Sequence, residues 1–363
     1  MGIPLVRILS KDNTVYVTSR SQRESTERIK YIQGNAKDRA FLQQTLLMHH
    51  WDAIVDFMIY NEKMLKETLP LFLENTKQYI FISSSRVYAQ TDKKITEETP
   101  RLLDASEDAE YLKTNEYALS KAREEDILLN SGKKNFTIIR PTITYNTYRL
   151  QLGVLEKENW LYRVLKGRSI VFSNDINDKI TTMTLGDDVS AGIASIVGQE
   201  KALGEVYHIT CPTSLPWSEV LGTYKSVLEK HLKRDIPIVM TEKSTNLKFK
   251  WRIYQVIYCR YFNRTFDNSK IGQYCNVENF TEPHIGLSRC LEEFLKKPKF
   301  GNISWDIEAV NDRAAKERTP LREIPTLGNK LTYLCYRYNT VFLLNFLKFC
   351  KETIKNTKRL LTK

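Results

Sequence analysis

Cysteine clusters, long apolar runs and an apolar leader are the features that this sequence of 363 residues lacks. No cysteine precedes Cys211, and the six cysteines form no Cys-x-x-Cys pair and have few histidines nearby. This usage argues against a disulfide framework or a zinc site and favours reduced, mostly buried thiols. No run of about 18 residues is apolar and free of charge, so no transmembrane helix is predicted. Since no basic, apolar leader opens the chain, we expect a cytoplasmic protein.

What the sequence does contain is a globular composition, with 42% hydrophobic and 27% charged residues, and a net charge of +12. Residues 322–363 hold nine Lys or Arg against two acids, so the body is only mildly basic and no nucleic-acid partner is expected. We expect a basic amphipathic helix over 331–363 that either lies on an anionic membrane surface, at the inner membrane face, or docks on its own domain. Its apolar stripe is predicted to comprise Leu331, Leu334, Cys335, Tyr338, Val341, Phe342, Asn345 and Phe349.

Two short motifs carry the candidate chemistry. Tyr117 and Lys121 stand four residues apart on a predicted helix, so they share one face about one turn apart. An ammonium at that distance can lower the pKa of a phenol and make it a usable acid and base. Upstream, an apolar strand over 79–82 ends in Ser83, Ser84 and Ser85. The hydroxyls are thereby placed at the carboxyl edge of a sheet, where open α/β sheets bind ligands.

These motifs resemble the extended short-chain dehydrogenases/reductases of the NAD-dependent epimerase/dehydratase type, which act on nucleotide sugars. Three serines before Val87-Tyr88, then Tyr117-x-x-x-Lys121, then Ile139-Arg140-Pro141 ahead of Tyr145 occur in the family's order and near its spacing. The resemblance implies a doubly wound parallel α/β sheet, Rossmann-like, with a smaller α/β substrate domain.

The resemblance also implies a division of the chain. We expect a dinucleotide-binding domain at 1–148 and 180–211, a substrate domain at 149–179 and 212–300, and a basic helical extension at 301–363.

For the catalytic site, the resemblance implies Tyr117 as acid/base, Lys121 as the cation that modulates it and contacts the cofactor ribose, and Ser84 as the partner of a substrate hydroxyl. Ser85 is the near alternative to Ser84. The implied activity is that of an NAD(P)-dependent epimerase or reductase transferring hydride to or from a nucleotide-linked sugar, in a homodimer paired through the Tyr117 helix. Family dehydratases acting across C4 and C6 carry Asp-Glu just after the catalytic Thr, whereas this chain has Ser85-Arg86, which disfavours that reaction.

For the cofactor, the resemblance assigns Asn35 to the adenine side, Phe57 to the nicotinamide ribose side and Pro141 to the edge of a later strand. The first predicted strand ends without the acid that binds the ribose hydroxyls of NAD. Arg20 or Arg23 could instead meet a 2′-phosphate, so the expected cofactor is NAD or NADP, with a slight preference for NADP.

The start of the chain matches only the end of the family's Gly-x-x-Gly-x-x-Gly turn. Gly2 stands in place of the third glycine, and a short helix over 5–9 follows. The preceding strand, central in a sheet of order 3-2-1-4-5-6, has no counterpart. We therefore expect either a truncated start or a degenerate copy that leaves two strands with unpaired backbone groups and binds the cofactor poorly.

Other residues receive smaller roles. Residues 89–114 form a polar, acid-rich segment expected to cover the active site. Asp187 is predicted to cap a helix, and His208 to be packed in the core. His49 and His50 are interpreted as a polar helix end rather than a metal site. The basic candidates for binding a nucleotide diphosphate are Arg252, Arg260, Arg264 and Lys270.

Two other interpretations stay open. The chain could be a non-catalytic relative that binds RNA or a protein partner, or a reductase of a small non-sugar carbonyl. Retention of Ser84, Tyr117 and Lys121 together argues for an enzyme, since a binding module does not need them.

Overall fold

Helices and strands alternate over the first 146 residues and fold, with two later segments, into the first of two units. The computed structural model describes residues 1–247 and 252–342. The first unit consists of Met1–Asn146, Ile180–Pro216 and Phe262–Arg289. The second consists of Thr147–Lys179, Trp217–Tyr261 and the chain from Cys290 onwards.

The strands and helices are mostly short. In chain order the strands are β1 (Val15–Ser19), β2 (Ile29–Gln33), β3 (Ile54–Asp56), β4 (Tyr79–Ile82), β5 (Phe136–Pro141), β6 (Ile143–Tyr145), β7 (Ile170–Ser173), β8 (Ile180–Thr181), β9 (Met183–Leu185), β10 (Glu205–Ile209), β11 (Leu215–Pro216) and β12 (Ile238–Thr241). The helices are α1 (Gly2–Leu9), α2 (Arg39–Leu46), α3 (Glu62–Glu74), α4 (Leu102–Ala105), α5 (Ala109–Leu112), α6 (Tyr117–Leu129), α7 (Lys157–Leu165), α8 (Asn174–Asn177), α9 (Gly186–Ile196), α10 (Trp217–Leu232), α11 (Ile253–Gln255), α12 (Pro283–Lys296), α13 (Trp305–Ala315) and α14 (Leu327–Arg337).

A four-stranded parallel sheet in the order β10-β5-β4-β3 organises the first unit. Because successive side chains of a strand point to opposite faces, β4 buries Tyr79 and Phe81 on one side and Ile80 on the other. Leucines of α2 and α3 cover the first side, and α1 and α9 cover the second. Helices on both faces of a parallel sheet are the predicted doubly wound fold, which is thereby confirmed.

The strands β1 and β2 form a separate parallel pair, with Val15 opposite Ile29 and Ser19 opposite Gln33. Among the described residues β1 pairs only with β2, and β3 is the outer strand of the four-stranded sheet. The two sheets are therefore not joined by backbone hydrogen bonds between β1 and β3, the two strands predicted to flank the unmatched central strand.

An aromatic cluster links the β1–β2 pair to the segment that leads into β3. The Tyr16 ring lies 5.0 Å from the His49 ring and 5.1 Å from the Trp51 ring, centroid to centroid. The predicted helix end at His50 is wrong, because α2 ends at Leu46 and the following turn carries His49 into this cluster. Within the described residues no group of three His, Cys, Asp or Glu is placed to hold a metal ion.

The predicted capping role of Asp187 is also wrong. Leu185 precedes α9 as its N-cap residue, and the Asp187 carboxylate instead accepts a 2.8 Å hydrogen bond from Arg7 of α1. Asp188, in the same turn, accepts from the backbone N–H of Thr281 at 2.8 Å. Both acids still lie at the positive end of the helix dipole, but they tie other segments to α9 rather than capping it.

The second unit pairs β7 with β12 in parallel and packs helices around a buried charge network. Arg163 of α7 is fully buried, and it pairs with Glu308 at 3.2 Å, Asp312 at 3.3 Å and Glu317 at 2.6 Å. The neighbouring Arg168 pairs with Glu308 and Glu323. Two arginines thus bind four carboxylates inside the unit, so each buried charge has at least one partner of opposite sign.

Helix α14 packs on α13 through Tyr333 and Tyr336, and the Tyr333 hydroxyl donates to Asp312 at 2.7 Å. Three members of the predicted apolar stripe, Leu331, Tyr338 and Phe342, are exposed, whereas Cys335 is buried. The predicted helix over 331–363 is thus described only in its first part, and residues 343–363 lie outside the described residues. No helix in the described ranges is long and apolar enough to cross a membrane.

The close packing of α9 on β10 gives a stability prediction. A Cβ at Gly192 would lie 2.7 Å from Cγ2 of Ile209, whereas one at Gly222 of α10 would meet no atom within 4 Å. We expect Gly192→Ala to lower the free energy of unfolding by about 1 to 3 kcal/mol, because overpacking outweighs the better helix propensity of alanine. Gly222→Ala is the control and should raise it by about 0.5 to 1 kcal/mol. Urea unfolding of both variants measures this, and an equal gain in both would contradict the packing.

Candidate active site

The serines that follow β4 lie at the carboxyl edge of the four-stranded sheet. Ser84 caps the single 3-10 turn at 85–87, where its Oγ accepts from the backbone N–H of Arg86 at 3.2 Å. A hydroxyl that accepts in this way can still donate its own hydrogen to a substrate oxygen. Ser83 instead donates to Oε1 of Glu125 at 2.5 Å. Within this run, Ser84 therefore has the local geometry suited to a substrate contact.

Arg86 and Glu116 fix the start of α6, where Tyr117 is the first residue. One carboxylate oxygen of Glu116 accepts from the backbone N–H of Ala118 at 2.8 Å and from the Tyr111 hydroxyl at 3.2 Å, and the other pairs with Arg86. The same guanidinium lies over the Tyr117 ring, 5.3 Å from its centroid. The Arg86 guanidinium thus contacts one face of the Tyr117 ring. Because Tyr117 is 43% exposed, its side chain is also accessible to solvent.

Lys121 lies on α6 four residues after Tyr117 and is buried. Its Nζ donates to Glu124 at 2.8 Å and lies 4.6 Å from the centroid of the Phe81 ring of β4. Burial raises the pKa of Glu124, and the Lys121 ammonium works in the opposite direction. Lys121 therefore points from α6 toward β4, where its ammonium contacts the Phe81 ring. There it forms a buried ion pair with Glu124.

Glu125 is the centre of the network beneath these residues. It is fully buried and binds the Arg140 guanidinium of β5 through both oxygens, at 2.9 Å and 2.7 Å. The same carboxylate accepts from Ser83 at 2.5 Å and from Arg101 at 3.4 Å. One side chain thus joins β4, β5 and α6 to the segment 89–114.

The segment 89–114 is fastened along its length to the first unit. Ile95 exchanges backbone hydrogen bonds with the chain at 265–267, and Arg101 forms an isolated bridge with Tyr88. A carboxylate oxygen of Glu97 accepts from the backbone N–H of His208 at 3.0 Å. These contacts attach the segment 89–114 to β10 and α6. The predicted role of the segment as a cover of the active site stays a prediction.

His208 is packed in the core, as predicted. Its side chain is fully buried on β10, its Nε2 donates to the carbonyl of Asp267 at 2.7 Å, and its Nδ1 accepts from the Tyr88 hydroxyl at 3.2 Å. Burial lowers the pKa of His208. Nε2 thus fastens the loop at 267 to β10, and Nδ1 fastens Tyr88.

Asp56 ends β3 and is buried beside Phe57. Its two oxygens accept from the backbone N–H of Met58 at 2.8 Å and from the Tyr79 hydroxyl at 2.9 Å. Burial raises the pKa of this carboxyl, against these hydrogen bonds. The contacts hold the turn that places Phe57 at the sheet edge.

The residues predicted for the cofactor lie at or just after the carboxyl ends of strands. Arg20 follows β1, Asn35 follows β2, Phe57 follows β3, and Pro141 ends β5. A Cβ added to Gly2 at the start of α1 would lie 3.8 Å from the Phe57 ring. The structure thus brings Gly2 and Phe57 together, while Arg20 and Asn35 lie on the separate β1–β2 pair. Their roles stay predictions.

Four basic residues are predicted to bind a nucleotide diphosphate. Each of them donates a hydrogen bond to an acceptor within the protein. The partners are Glu205 for Lys270 and the Tyr88 carbonyl for Arg264 in the first unit, and Asp306 for Arg252 and the Gly153 carbonyl for Arg260 in the second. Their role toward a diphosphate stays a prediction.

The sequence analysis missed four residues that hold the predicted site residues in place. Arg86 contacts Tyr117 and pairs with Glu116, Glu124 pairs with Lys121, and Glu125 pairs with Arg140. Local signals were available for two of them. Glu116 directly precedes a helix start, where acids are favoured, and Glu124 stands three residues after Lys121 on the same helix. The contacts of Arg86 and Glu125 join distant segments, for which the sequence carries no local signal.

The doubly wound parallel sheet is a Rossmann-like fold, and the Ser, Tyr and Lys motifs resemble those of the extended short-chain dehydrogenases/reductases. Comparison with known proteins confirms the resemblance. The NAD-binding family model described as "Male sterility protein" matches residues 7–180. No significant match was found among curated proteins.

Solved structures of similar fold support this assignment at low sequence identity. The dTDP-glucose 4,6-dehydratase of Bacillus anthracis in complex with NAD is 16% identical, with a TM-score of 0.58 over 82% of this chain and 93% of that one. A Bordetella bronchiseptica enzyme in complex with NAD+ is 13% identical, with a TM-score of 0.60 over 82% and 95%. The UDP-glucuronic acid 4-epimerase of Bacillus cereus is 16% identical, with a TM-score of 0.59 over 81% and 95%.

The Glu125 network predicts a large stability effect near the site. Glu125→Gln removes the charge that compensates the buried Arg140, so we expect the free energy of unfolding to fall by about 3 to 5 kcal/mol. Glu110→Gln is the matched control, because Glu110 pairs with Lys113 at 2.7 Å on the exposed surface and should matter by about 0.5 kcal/mol or less. Denaturant unfolding of both variants decides between a buried and a superficial role, and equal effects would contradict the network.

Proposed function

We propose that this protein is an NAD(P)-dependent epimerase or reductase that acts on a nucleotide-linked sugar. The observation that carries the proposal is the exposed Tyr117 phenol, which follows the capped start of α6 and lies one turn from the buried Lys121. The Arg86 contact joins this turn to the end of β4, where Ser84 lies. Such a proton-exchanging phenol beside a hydroxyl donor is what the interconversion of an alcohol and a carbonyl requires.

In this proposal the roles follow from the contacts. Tyr117 takes the proton from a substrate hydroxyl as it becomes a carbonyl, or returns it in the opposite direction. Ser84 donates to the same substrate oxygen and orients it, and the Lys121 ammonium supplies positive charge behind the phenol. A bound nicotinamide would supply the hydride chemistry, which amino-acid side chains lack.

The residues at the sheet edge fit a dinucleotide unevenly. On the nicotinamide side, Phe57 is exposed beside Gly2, and Pro141 and Lys121 lie at the ends of neighbouring elements. On the adenine side, Asn35 and Arg20 are exposed on the separate β1–β2 pair. Of the family's glycine turn, this sequence shows a match at Gly2.

The substrate class is proposed from the related structures and from what this chain lacks. The Bacillus cereus structure holds UDP-glucuronic acid with NAD, and a similar Streptomyces venezuelae dehydratase structure holds NAD and a second ligand. Ser85-Arg86 replaces the Asp-Glu pair of 4,6-dehydratases, and Arg86 here is engaged with Glu116 and Tyr117. We therefore propose epimerisation or reduction rather than 4,6-dehydration.

The competing proposals are a non-catalytic relative and a reductase of a small non-sugar carbonyl. Neither RNA nor protein binding requires the combination of Ser84, an exposed Tyr117 phenol and a buried Lys121 ammonium. The homodimer through α6 likewise stays a prediction.

The first prediction concerns Tyr117. With NAD+ or NADP+ and a panel of UDP- and dTDP-linked hexoses, we expect Tyr117→Phe to lower turnover by about 10²-fold or more, because the proton acceptor is lost. The fold and the dinucleotide affinity should be retained. Tyr148→Phe, at an exposed tyrosine of the second unit, is the control. Undiminished turnover in Tyr117→Phe would disprove the acid/base assignment, and no turnover of any sugar by the wild type would favour the competing proposals.

The second prediction concerns the cofactor. Arg23 lies over the Tyr31 ring at 5.6 Å, whereas Arg20 is exposed directly after β1, so Arg20 is the proposed contact for a 2′-phosphate. We expect tighter binding of NADP+ than of NAD+, and a loss of about tenfold in NADP+ affinity in Arg20→Ala with no change for NAD+. Arg28→Ala, on the exposed turn before β2, is the control. Calorimetric titration measures both, and equal affinities in the wild type would reject the preference for NADP.

A further inference from the structure

Helix α14 presents a second apolar face that points away from its own unit. Its buried side carries Tyr333 and Tyr336, which pack toward α13. On the opposite side Leu327 is 74% exposed, Leu331 38% and Tyr338 59%, at the four- and seven-residue spacing of one helix face. Phe342, shortly after the helix, is 66% exposed. Large apolar side chains in a row on a surface indicate an interaction site.

The charges around this row are of one sign, and the reason lies inside the second unit. Between residues 313 and 342 the acids are Glu317 and Glu323. Glu317 pairs with the buried Arg163 at 2.6 Å, and Glu323 with the buried Arg168 at 3.1 Å. Both carboxylates therefore face buried arginines, which also pair with Glu308 and Asp312 in the same network.

The basic residues of the same segment have no such acids left beside them. They are Arg313, Lys316, Arg318, Arg322, Lys330 and Arg337. Two of them contact α14 or the residue after it: Arg313 donates to the Tyr336 carbonyl, and Arg337 donates to the Glu317 carbonyl and lies over the Tyr338 ring. Backbone carbonyls do not cancel a guanidinium charge, so the apolar row is surrounded by net positive charge.

We infer that the exposed face of α14 binds an anionic lipid surface. An apolar row inserts into the boundary between head groups and acyl chains, and flanking Lys and Arg residues attract anionic head groups. The basic residues around the exposed face of α14 favour an anionic lipid surface over a second copy of the chain, because two such basic faces would repel each other. The sequence after residue 342 adds six Lys or Arg against one Glu, which increases the same attraction.

This inference is independent of the catalytic proposal, and its test needs no substrate. The purified full chain is sedimented with vesicles of phosphatidylcholine alone or of phosphatidylcholine with 30% phosphatidylglycerol. We expect binding to the anionic vesicles only, and weakening as salt is raised, because the Debye length shortens. Leu327→Asp combined with Tyr338→Asp should lower the partition coefficient by about tenfold or more, since an inserted row would then carry charge.

Two further variants separate the two contributions. Lys330→Glu combined with Arg318→Glu should weaken binding to anionic vesicles by about tenfold or more while keeping the apolar row intact. Ile285→Asp is the control, because Ile285 is exposed to a similar degree and belongs to the first unit. Circular dichroism checks that each variant is folded.

Three outcomes would overturn the inference. They are no sedimentation of the intact chain with anionic vesicles, equal binding by the Leu327/Tyr338 variant and the Ile285 control, and equal binding to both kinds of vesicle. Self-association in analytical ultracentrifugation that the Leu327/Tyr338 variant abolishes would also overturn it, because it would assign the face to a second copy.

Discussion

The junction between the end of β4 and the start of α6 is the constraint on which the candidate site depends. Arg86, which follows β4, pairs with Glu116 and contacts the Tyr117 ring. The Phe81 ring of β4 contacts the Lys121 ammonium. Each contact joins a residue of the sheet edge to a residue of one helix turn, so the phenol cannot shift without breaking a charged contact. Buried ion pairs add little net stability compared with apolar packing. Their use here is therefore better explained as orientation of Tyr117 than as a source of stability.

The order of strands and helices and the positions of Ser84, Tyr117 and Lys121 at one edge were predictable, because periodicity and short motifs are local properties. The partners of charged groups were not. Asp187 has the sequence of a helix cap, but Arg7, 180 residues away in the chain, binds its carboxylate. Arg86 gives no local indication that it will lie over Tyr117. Within α14, the predicted stripe includes Leu331 and Tyr338, which are exposed, whereas Tyr333 and Tyr336, outside that stripe, are buried. Tertiary contacts decide such choices wherever a helix has two apolar faces.

The division of the first unit into a four-stranded sheet and the β1–β2 pair separates the residues predicted for the cofactor into two groups. An outer strand such as β3 leaves one row of backbone N–H and C=O groups to be satisfied by water. The residues of β1 and β2 are only half-buried or exposed, so burial contributes little there, and the ring contacts of Tyr16, His49 and Trp51 provide the visible link. Arg20 and Asn35 are carried by this weakly supported pair. The adenine side of the site therefore has less support than the side of Ser84, Tyr117 and Lys121.

The two units use their acids in the same way, and this decides the character of the surface. Glu116, Glu124 and Glu125 bind Arg86, Lys121 and Arg140 within the first unit. Glu308, Asp312, Glu317 and Glu323 bind Arg163 and Arg168 within the second. In the second unit four carboxylates are held by two guanidiniums, so acids are withdrawn from the surface faster than bases. A count of charges along the sequence misses this, because it treats every carboxylate as exposed. The segment 313–342 therefore carries six basic residues against two acids, and both of these acids pair with buried arginines.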